Sequence, residues 1–210
     1  MRIGIITASR GLVFSKTMES IFSNIKGRDC ELYMAHDLPI PDCFNTPLKK
    51  ALDDGCDLIW FVEEDMLIPE GTLDKMIKLY LKGNKVISSE YADRRTGKSF
   101  VERDNEGNVL YAGMGCLLVD ANLMRELSPD YIQTCVFWIK NEDGVKYLEP
   151  HPEIENKGYG TQDIWLNWKL RQLGHNISLV EAKIGHLRLT KTGEDNNNKG
   201  THLIETVYVT

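Results

Sequence analysis

Strand-like apolar runs alternate with helical patterns through residues 1–92. The runs RIGIIT, CELYMAHD, DLIWFV and KVISSEYA have the β-branched and aromatic content of buried strands. Helical periodicity lies between them, from about Ser15 to Lys26, from Leu48 to Asp54 and through PEGTLDKMIKLYLKG. Strands that alternate with helices predict an α/β fold, in which helices cover both faces of a mostly parallel sheet.

The second half of the chain has a different pattern. RRTGKSFV, RDNEGNVLYAG and VFWIKNEDGVKYL place turn residues between short extended runs, which predicts antiparallel hairpins added to the sheet. GYGTQDIWLNWKLRQLGH predicts a helix that faces inward through Ile164, Trp165, Trp168 and Leu173. NISLVEAKIGHLR predicts a final strand followed by His186, and LIETVYV is either a last strand or a docking arm.

Composition limits the classes of function. The chain has 210 residues, 42% of them hydrophobic and 27% charged, which is typical of a globular protein with a full core. A net charge of −6 argues against an extended nucleic-acid surface. The strand-like start predicts no leader peptide, and no apolar run approaches the ~20 residues of a membrane helix. Five scattered cysteines without a CxxC pair predict reduced thiols in a cytoplasmic protein.

Three acidic residues follow one of the predicted core strands directly. Glu63, Glu64 and Asp65 come after the run IWFV, at the carboxyl end of a strand, where open α/β sheets bind their ligands. The cluster is either a solvated loop with a helix cap or a cation site. Carboxylate oxygens suit Mg²⁺ or Mn²⁺, and these cations in turn hold diphosphates. His186 follows another predicted strand, and an imidazole joined to the acids would favour Mn²⁺ over Ca²⁺.

Five stretches in this order resemble the GT-A fold of nucleotide-sugar-dependent glycosyltransferases: IGIITASR, PLKKALDDGCDLIWFVEEDMLIPEGTLDKM, YAGMGCLLV, GYGTQDIWLNWKLRQLGHNI and IGHLR. The resemblance spans about Arg2 to Arg188. It implies a Rossmann-like GT-A domain over residues 1–190, with a nucleotide-binding half at about 1–90 and an acceptor half at about 91–190. Residues 191–210 would form a mobile loop and a C-terminal arm. The acidic motif departs from Asp-x-Asp, because Glu63 stands at its first position.

The resemblance also implies site residues. Asp65 and His186 would bind a divalent cation, Mn²⁺ or Mg²⁺, with Glu63 as a further ligand, and Asp163 would be the general base. A helix N-terminus lowers the pKa of a carboxylate, which would weaken Asp163 as a base, and a helix cap is its rival role. Four groups of residues would contact the donor. They are Glu63 and Glu64 of the acidic triplet, the stretch after the first strand, the end of the second strand and one glycine: Thr7, Ala8, Ser9, Arg10, Asp37 and Gly113. Asp37 is equally suited to a turn cap.

The activity that this resemblance implies is transfer of a sugar from a nucleotide diphosphate sugar, most simply a UDP-sugar, to a hydroxyl acceptor with inversion. The acceptor, whether a glycan, a lipid-linked group or a protein, and the oligomeric state stay open. One alternative is a sugar-phosphate nucleotidyltransferase, although TASRGLVFSK fits poorly with the glycine-rich basic loop of that class. Another is a non-catalytic nucleotide-sugar binding module.

Arg94 and Arg95 lie in a predicted exposed turn, where they are either a solvated pair or a phosphate contact.

Overall fold

The computed structural model describes residues 1–9, 11–129, 131–134, 137–142, 145–150, 162–191 and 202–209. Helices and strands alternate through the first half of this part of the chain and give way to hairpins in the second. In chain order the elements are β1 (Ile3–Ser9), α1 (Ser15–Asn24), β2 (Cys30–His36), α2 (Asp42–Asp53), β3 (Leu58–Val62), β4 (Met66–Leu67), α3 (Thr72–Leu81), β5 (Val86–Ser89), β6 (Val101–Arg103), β7 (Val109–Ala112), β8 (Cys116–Asp120), α4 (Ala121–Glu126), β9 (Phe137–Glu142), β10 (Val145–Pro150), α5 (Gln162–Gln172), β11 (Ile177–Val180), β12 (Gly185–Lys191) and β13 (His202–Val207).

The central sheet has six strands in the order β11-β5-β8-β3-β1-β2. β1 pairs in parallel with both β2 and β3, and β11 pairs in parallel with β5. β8 lies between β3 and β5 and runs antiparallel to both. β6 with β7, and β9 with β10, form antiparallel pairs outside this sheet. The predicted mostly parallel α/β sheet with added hairpins is therefore confirmed.

Helices cover both faces of the sheet because consecutive strand residues point to opposite sides. Phe61 packs on the face that α2 and α5 cover, together with Leu48 and Leu166. Trp60, its neighbour, packs on the opposite face with Ile21 of α1 and Leu73 of α3. Burial on both faces explains why the β3 sequence is a continuous apolar run without polar alternation.

α2 is longer than the sequence predicted. It begins at Asp42 and contains Pro47, whereas the prediction placed its start at Leu48 and assigned the preceding prolines to a loop. The buried side chains follow helical spacing through the proline: Cys43, Phe44, Pro47, Leu48, Ala51 and Leu52. A proline in the first turns of a helix removes one hydrogen bond, and burial of this apolar stripe offsets that loss.

α5 faces the core with a different side from the one predicted. The buried positions are Gln162, Asp163, Leu166, Asn167 and Leu170. Trp165 and Trp168 are only partly buried, and Leu173 is 40% exposed, so the prediction of an inward face through these residues is wrong. One of these polar side chains is anchored through its amide nitrogen: Asn167 Nδ2 donates to the carbonyl oxygen of Ala112 at 2.7 Å.

A small second sheet, in the order β13-β12-β4, completes the described fold. The predicted final strand is two strands, because β11 ends at Val180 and β12 begins at Gly185. His186 therefore lies within β12 instead of after a strand, and β13 pairs with β12 as a last antiparallel strand.

Within the described residues, no helix is both long and apolar enough to cross a bilayer. Cys30, Cys43, Cys56 and Cys116 carry free thiols.

The inserted strand β8 supplies a test of the core. Leu118 is fully buried opposite Trp60 on β3 and Ile87 on β5. We expect Leu118→Ala to lower the free energy of unfolding by about 2–5 kcal/mol, because it leaves a cavity between two strands. Leu81→Ala makes the same change at a 72% exposed position of α3 and should cost less than about 0.5 kcal/mol. Urea denaturation measures both, and equal losses would contradict this packing.

Candidate active site

A cavity of about 500 Å³ opens at the carboxyl ends of β1 and β3. Ala8 and Ser9 form its wall at the end of β1, and the acidic triplet forms the wall at the end of β3. The remaining wall comes from the loop after β2, the start of α2, the turn after β5, the first residue of α5 and β12: Leu38, Pro39, Ile40, Cys43, Phe44, Asp93, Arg94, Arg95, Gln162 and His186. The cavity thus lies at the sheet edge where α/β proteins bind ligands.

The backbone of the acidic triplet is attached to three other parts of the chain. The amide of Glu63 donates to the carbonyl oxygen of Gly115 at 3.4 Å, and the carbonyl oxygen of Glu64 accepts from the amide of Phe14 at 3.1 Å. The carbonyl oxygen of Asp65 accepts from the amide of Leu187 at 2.7 Å. These bonds fix the direction of the three side chains, which a solvated loop would leave free.

Asp65 is the centre of a charged cluster. Its carboxylate is 6% exposed, and Oδ2 accepts a hydrogen bond from Arg94 Nη1 at 2.8 Å. His186 Nε2 lies 3.2 Å from the same oxygen. The structure therefore brings together Asp65 and His186, two of the three residues predicted as cation ligands, and adds Arg94. Their roles as ligands stay predictions.

The orientation of His186 is set by its second ring nitrogen. Nδ1 lies 2.8 Å from the carbonyl oxygen of Ala92, which can only accept, so Nδ1 carries a proton and Nε2 points at Asp65. Burial is the largest single effect and lowers the pKa of His186, but the hydrogen bond and charge of Asp65, the Ala92 carbonyl and the charge of Glu63 together leave the pKa above its ordinary value. Metal-binding histidines are held in this way, by a backbone acceptor on the nitrogen opposite the metal.

The cluster fits a divalent cation that keeps part of its coordination for a ligand. Among the described residues, no three acidic, histidine or cysteine side chains converge as a ready-made cage. Asp65 and His186 would supply one oxygen and one nitrogen ligand. Mg²⁺ and similar cations are commonly held by one or two carboxylates together with substrate phosphates and water. The donor set therefore suits a cation that arrives with a diphosphate.

Two further carboxyl groups belong to this region: Glu63, which is partly buried in the cavity wall, and Asp163, which is buried. Burial, with the charges of Asp65 and Asp163, raises the pKa of Glu63 to about 8. Burial also raises the pKa of Asp163 to about 7, although the Ile164 amide donates to its Oδ1 at 2.9 Å and lowers it. The sequence-based expectation that the helix N-terminus would lower this pKa is wrong, because desolvation at a 5% exposed position outweighs the helix.

The predicted donor residues separate into several environments. Ala8 and Ser9 line the cavity, whereas Thr7 is fully buried on β1, and its Oγ1 has no hydrogen-bond partner among the described residues. Asp37 is exposed beyond β2 with a φ of 56°, in the left-handed region that turns use. Arg10 lies outside the described residues.

Gly113 is constrained by packing. A Cβ atom at this position would overlap the hydroxyl group of Tyr91, so the space that the glycine leaves is filled by the protein itself. Gly115 has the same neighbour, and its amide donates to the Tyr91 hydroxyl at 3.0 Å. A donor contact at Gly113 stays a prediction, and it would have to use the glycine backbone.

Sequence reasoning missed Gln162 as a cavity residue. Gln162 lines the cavity, while Asp163 is not among the described residues of its wall. The Gln162 Oε1 atom is buried without a hydrogen-bond partner in the described part of the chain. Arg94 was interpreted mainly as solvated, and the charge on Asp65 holds it at the site instead. The available sequence signal for Gln162 was its position beside Asp163 at the start of a predicted helix.

Comparison with known proteins identifies the fold. No family model matches the chain, and no curated protein matches it significantly. The crystal structure of A197 from STIV superposes with a TM-score of 0.57 at 15% identity, over 90% of this chain and 88% of that one. The likeness shows a shared fold. A 4-diphosphocytidyl-2C-methyl-D-erythritol synthase from Anaerococcus prevotii DSM 20548 superposes less closely, with a TM-score of 0.48 at 13% identity over 87% and 89% of the two chains.

The raised pKa of Asp163 predicts how stability depends on pH. A carboxyl group whose pKa rises on folding stabilises the folded state fully below the unfolded pKa, and loses that contribution as the pH rises. We expect the free energy of unfolding to fall between pH 5 and pH 8, with about 3 kcal/mol of the fall due to Asp163. Asp163→Asn should therefore flatten the profile.

Urea titrations across this pH range measure the effect. Asp53→Asn, on the exposed side of α2, removes the same charge and should keep the wild-type profile. If Asp163→Asn ran parallel to wild type between pH 5 and pH 8, Asp163 would not be the buried group that takes up the proton.

Proposed function

We propose that the protein is a glycosyltransferase that moves a sugar from a nucleotide diphosphate sugar, a UDP-sugar in the first instance, to a hydroxyl acceptor. The observation that carries this proposal is the Asp65–His186 pair. An acidic residue after a core strand and a histidine from a distant strand meet beside a cavity at the carboxyl edge of the sheet. The resemblance to the GT-A family assigns these two positions to the cation that holds the donor diphosphate.

Asp65 and His186 would hold the cation, and Glu63 is its further predicted ligand. A bound Mn²⁺ or Mg²⁺ would neutralise the negative charge that grows on the departing diphosphate. Ala8 and Ser9 line the cavity at the end of β1 and would contact the nucleotide, and Glu64 lines the same cavity. Thr7, Arg10, Asp37 and Gly113 remain predicted donor contacts.

Asp163 is our candidate for the general base that takes the proton of the acceptor hydroxyl, with inversion at the anomeric carbon. A pKa of about 7 suits a base that works near neutral pH. The backbone carbonyl of Asp163 accepts from Asn167 Nδ2 at 2.6 Å, which holds the first turn of α5 in place. The side chain is buried, so the acceptor would have to approach it past Gln162.

Two alternatives make different demands on the chain. A sugar-phosphate nucleotidyltransferase binds a triphosphate and uses a glycine-rich basic loop after the first strand. In residues 8–17 of this chain, Gly11 is the single glycine, and Arg10 and Lys16 are the basic residues. A non-catalytic binding module would need the cavity and would not need a base at Asp163.

One experiment separates these activities. The protein is incubated with a panel of nucleotide sugars with and without Mn²⁺, and donor hydrolysis is followed. A parallel series with nucleoside triphosphates and sugar 1-phosphates follows release of pyrophosphate. Mn²⁺-dependent hydrolysis of one nucleotide sugar without pyrophosphate release supports the glycosyltransferase. Pyrophosphate release would establish the nucleotidyltransferase instead, and binding without turnover would establish the binding module.

Substitution of the central acid tests the cation site. Asp65→Asn keeps the size of the side chain and removes the charge, so Mn²⁺-dependent donor hydrolysis should fall at least ~100-fold. Glu70→Gln, at an exposed position on the following turn, removes a charge outside the cavity and should keep wild-type hydrolysis. Wild-type Mn²⁺ dependence in Asp65→Asn would remove Asp65 from the site.

The base is tested by turnover at saturating donor. General base catalysis typically contributes ~10²–10⁴-fold, so Asp163→Asn should reduce turnover at least ~100-fold while the affinity for the donor is kept. The anomeric configuration of the product, measured by NMR, should be inverted. Normal turnover in a folded Asp163→Asn variant, or retention of configuration, would contradict this role.

A further inference from the structure

Arg94 is hydrogen-bonded to the Asp65 oxygen that a cation shared with His186 would bind. Its Nη1 atom lies 2.8 Å from Asp65 Oδ2, and His186 Nε2 lies 3.2 Å from the same oxygen. A divalent cation binds a carboxylate oxygen at about 2.0–2.2 Å, so a guanidinium hydrogen-bonded to that oxygen would be pressed against a like charge. Arg94 and a cation therefore compete for Asp65.

The backbone of Arg94 is held by hydrogen bonds, whereas its side chain is partly exposed at the cavity. The turn that carries it is closed by the Asp93 amide, which donates to the Lys98 carbonyl oxygen at 2.8 Å. The carbonyl oxygen of Arg94 accepts from Arg188 Nη1 at 3.0 Å, which joins the turn to β12. The Arg94 side chain is 39% exposed and borders the cavity. A guanidinium that leaves Asp65 therefore stays at the cavity wall.

A diphosphate is the natural second partner for this guanidinium. Arginine presents a planar fork of donors that binds two phosphate oxygens at once. A cation that binds Asp65 and His186 while it carries a diphosphate would place phosphate oxygens within the same cavity. The positive charge of the guanidinium that leaves Asp65 and the negative charge of the diphosphate would then compensate each other.

We propose that Arg94 exchanges partners: it pairs with Asp65 when the site holds no donor, and it binds the diphosphate when cation and nucleotide enter together. This inference rests on the proposed function for the identity of the ligand. As a consequence, the cation alone binds weakly, and cation and nucleoside diphosphate bind cooperatively. Arg94 is thus a donor-binding residue that also sets the cation affinity of the free protein.

The signature of this exchange is a pair of opposite effects in one variant. We expect Arg94→Gln to bind Mn²⁺ alone about tenfold more tightly, because the competing charge is gone. The same variant should bind UDP about tenfold more weakly at saturating Mn²⁺, because the phosphate contact is gone. Water proton relaxation measures Mn²⁺ affinity, and calorimetry measures UDP affinity. Arg94→Lys should keep the low Mn²⁺ affinity and recover only part of the UDP affinity, because its charge lacks the fork.

Arg103→Gln is the matched control. Arg103 is exposed on β6, donates to the carbonyl oxygen of Gly107 at 3.1 Å and is not among the described residues of the cavity wall. This variant should change neither affinity. Unchanged Mn²⁺ affinity in Arg94→Gln, unchanged UDP affinity in Arg94→Gln, or equal changes in Arg103→Gln would each overturn the exchange. Failure of the proposed function is distinguishable, because the opposite effects of Arg94→Gln on Mn²⁺ and UDP would persist in a protein that transfers no sugar.

Discussion

The pairing of β4 with β12 is the interaction on which the candidate site depends. His186 lies opposite Met66 in this antiparallel pair, and the Leu187 amide donates to the carbonyl oxygen of Asp65. Gly185 makes the approach possible, because a Cβ atom there would overlap the methyl group of Thr206 on β13 and would lie 3.3 Å from Leu67 Cβ on β4. A short strand directly after the acidic triplet therefore helps to bring an imidazole from a distant part of the chain to Asp65.

Charge compensation explains the state of the buried acids. Asp65 is nearly inaccessible, and it is paired with Arg94 and hydrogen-bonded to His186. Glu63 and Asp163 are also desolvated, and their raised pKa values show that the folded protein favours their protonated forms. Because each further negative charge in this region is costly, binding of a cation would favour ionisation of the acids around it. Protonation of the site and binding of a cation are thus linked.

The polar face of α5 attaches this helix to β7. Asn167 Nδ2 donates both to the Asp163 carbonyl oxygen and to the Ala112 carbonyl oxygen on β7, so the helix is held to a hairpin strand by a buried amide. Leu166 and Leu170 pack beside it in the core. This attachment fixes the positions of Gln162 and Asp163 at the start of the helix. A helix packed through Trp165 and Trp168 would place them differently.

The sequence by itself determined the α/β class, the strand that ends at the acidic triplet and the candidate ligands Asp65 and His186. The class and that strand end depend on local periodicity, which can be read from residues close together in the chain, and the candidate ligands depend on short motifs that resemble a known family. Tertiary structure decided which face of α5 is buried, because the hydrogen bond from Asn167 to the carbonyl oxygen of Ala112 anchors that side of the helix in the core. It also decided the start of α2, where burial of Pro47 offsets the lost backbone bond, and the position of Arg94, which a distant buried charge draws to Asp65. Burial and charge pairing depend on every element that surrounds a residue, and only the folded chain brings those elements together.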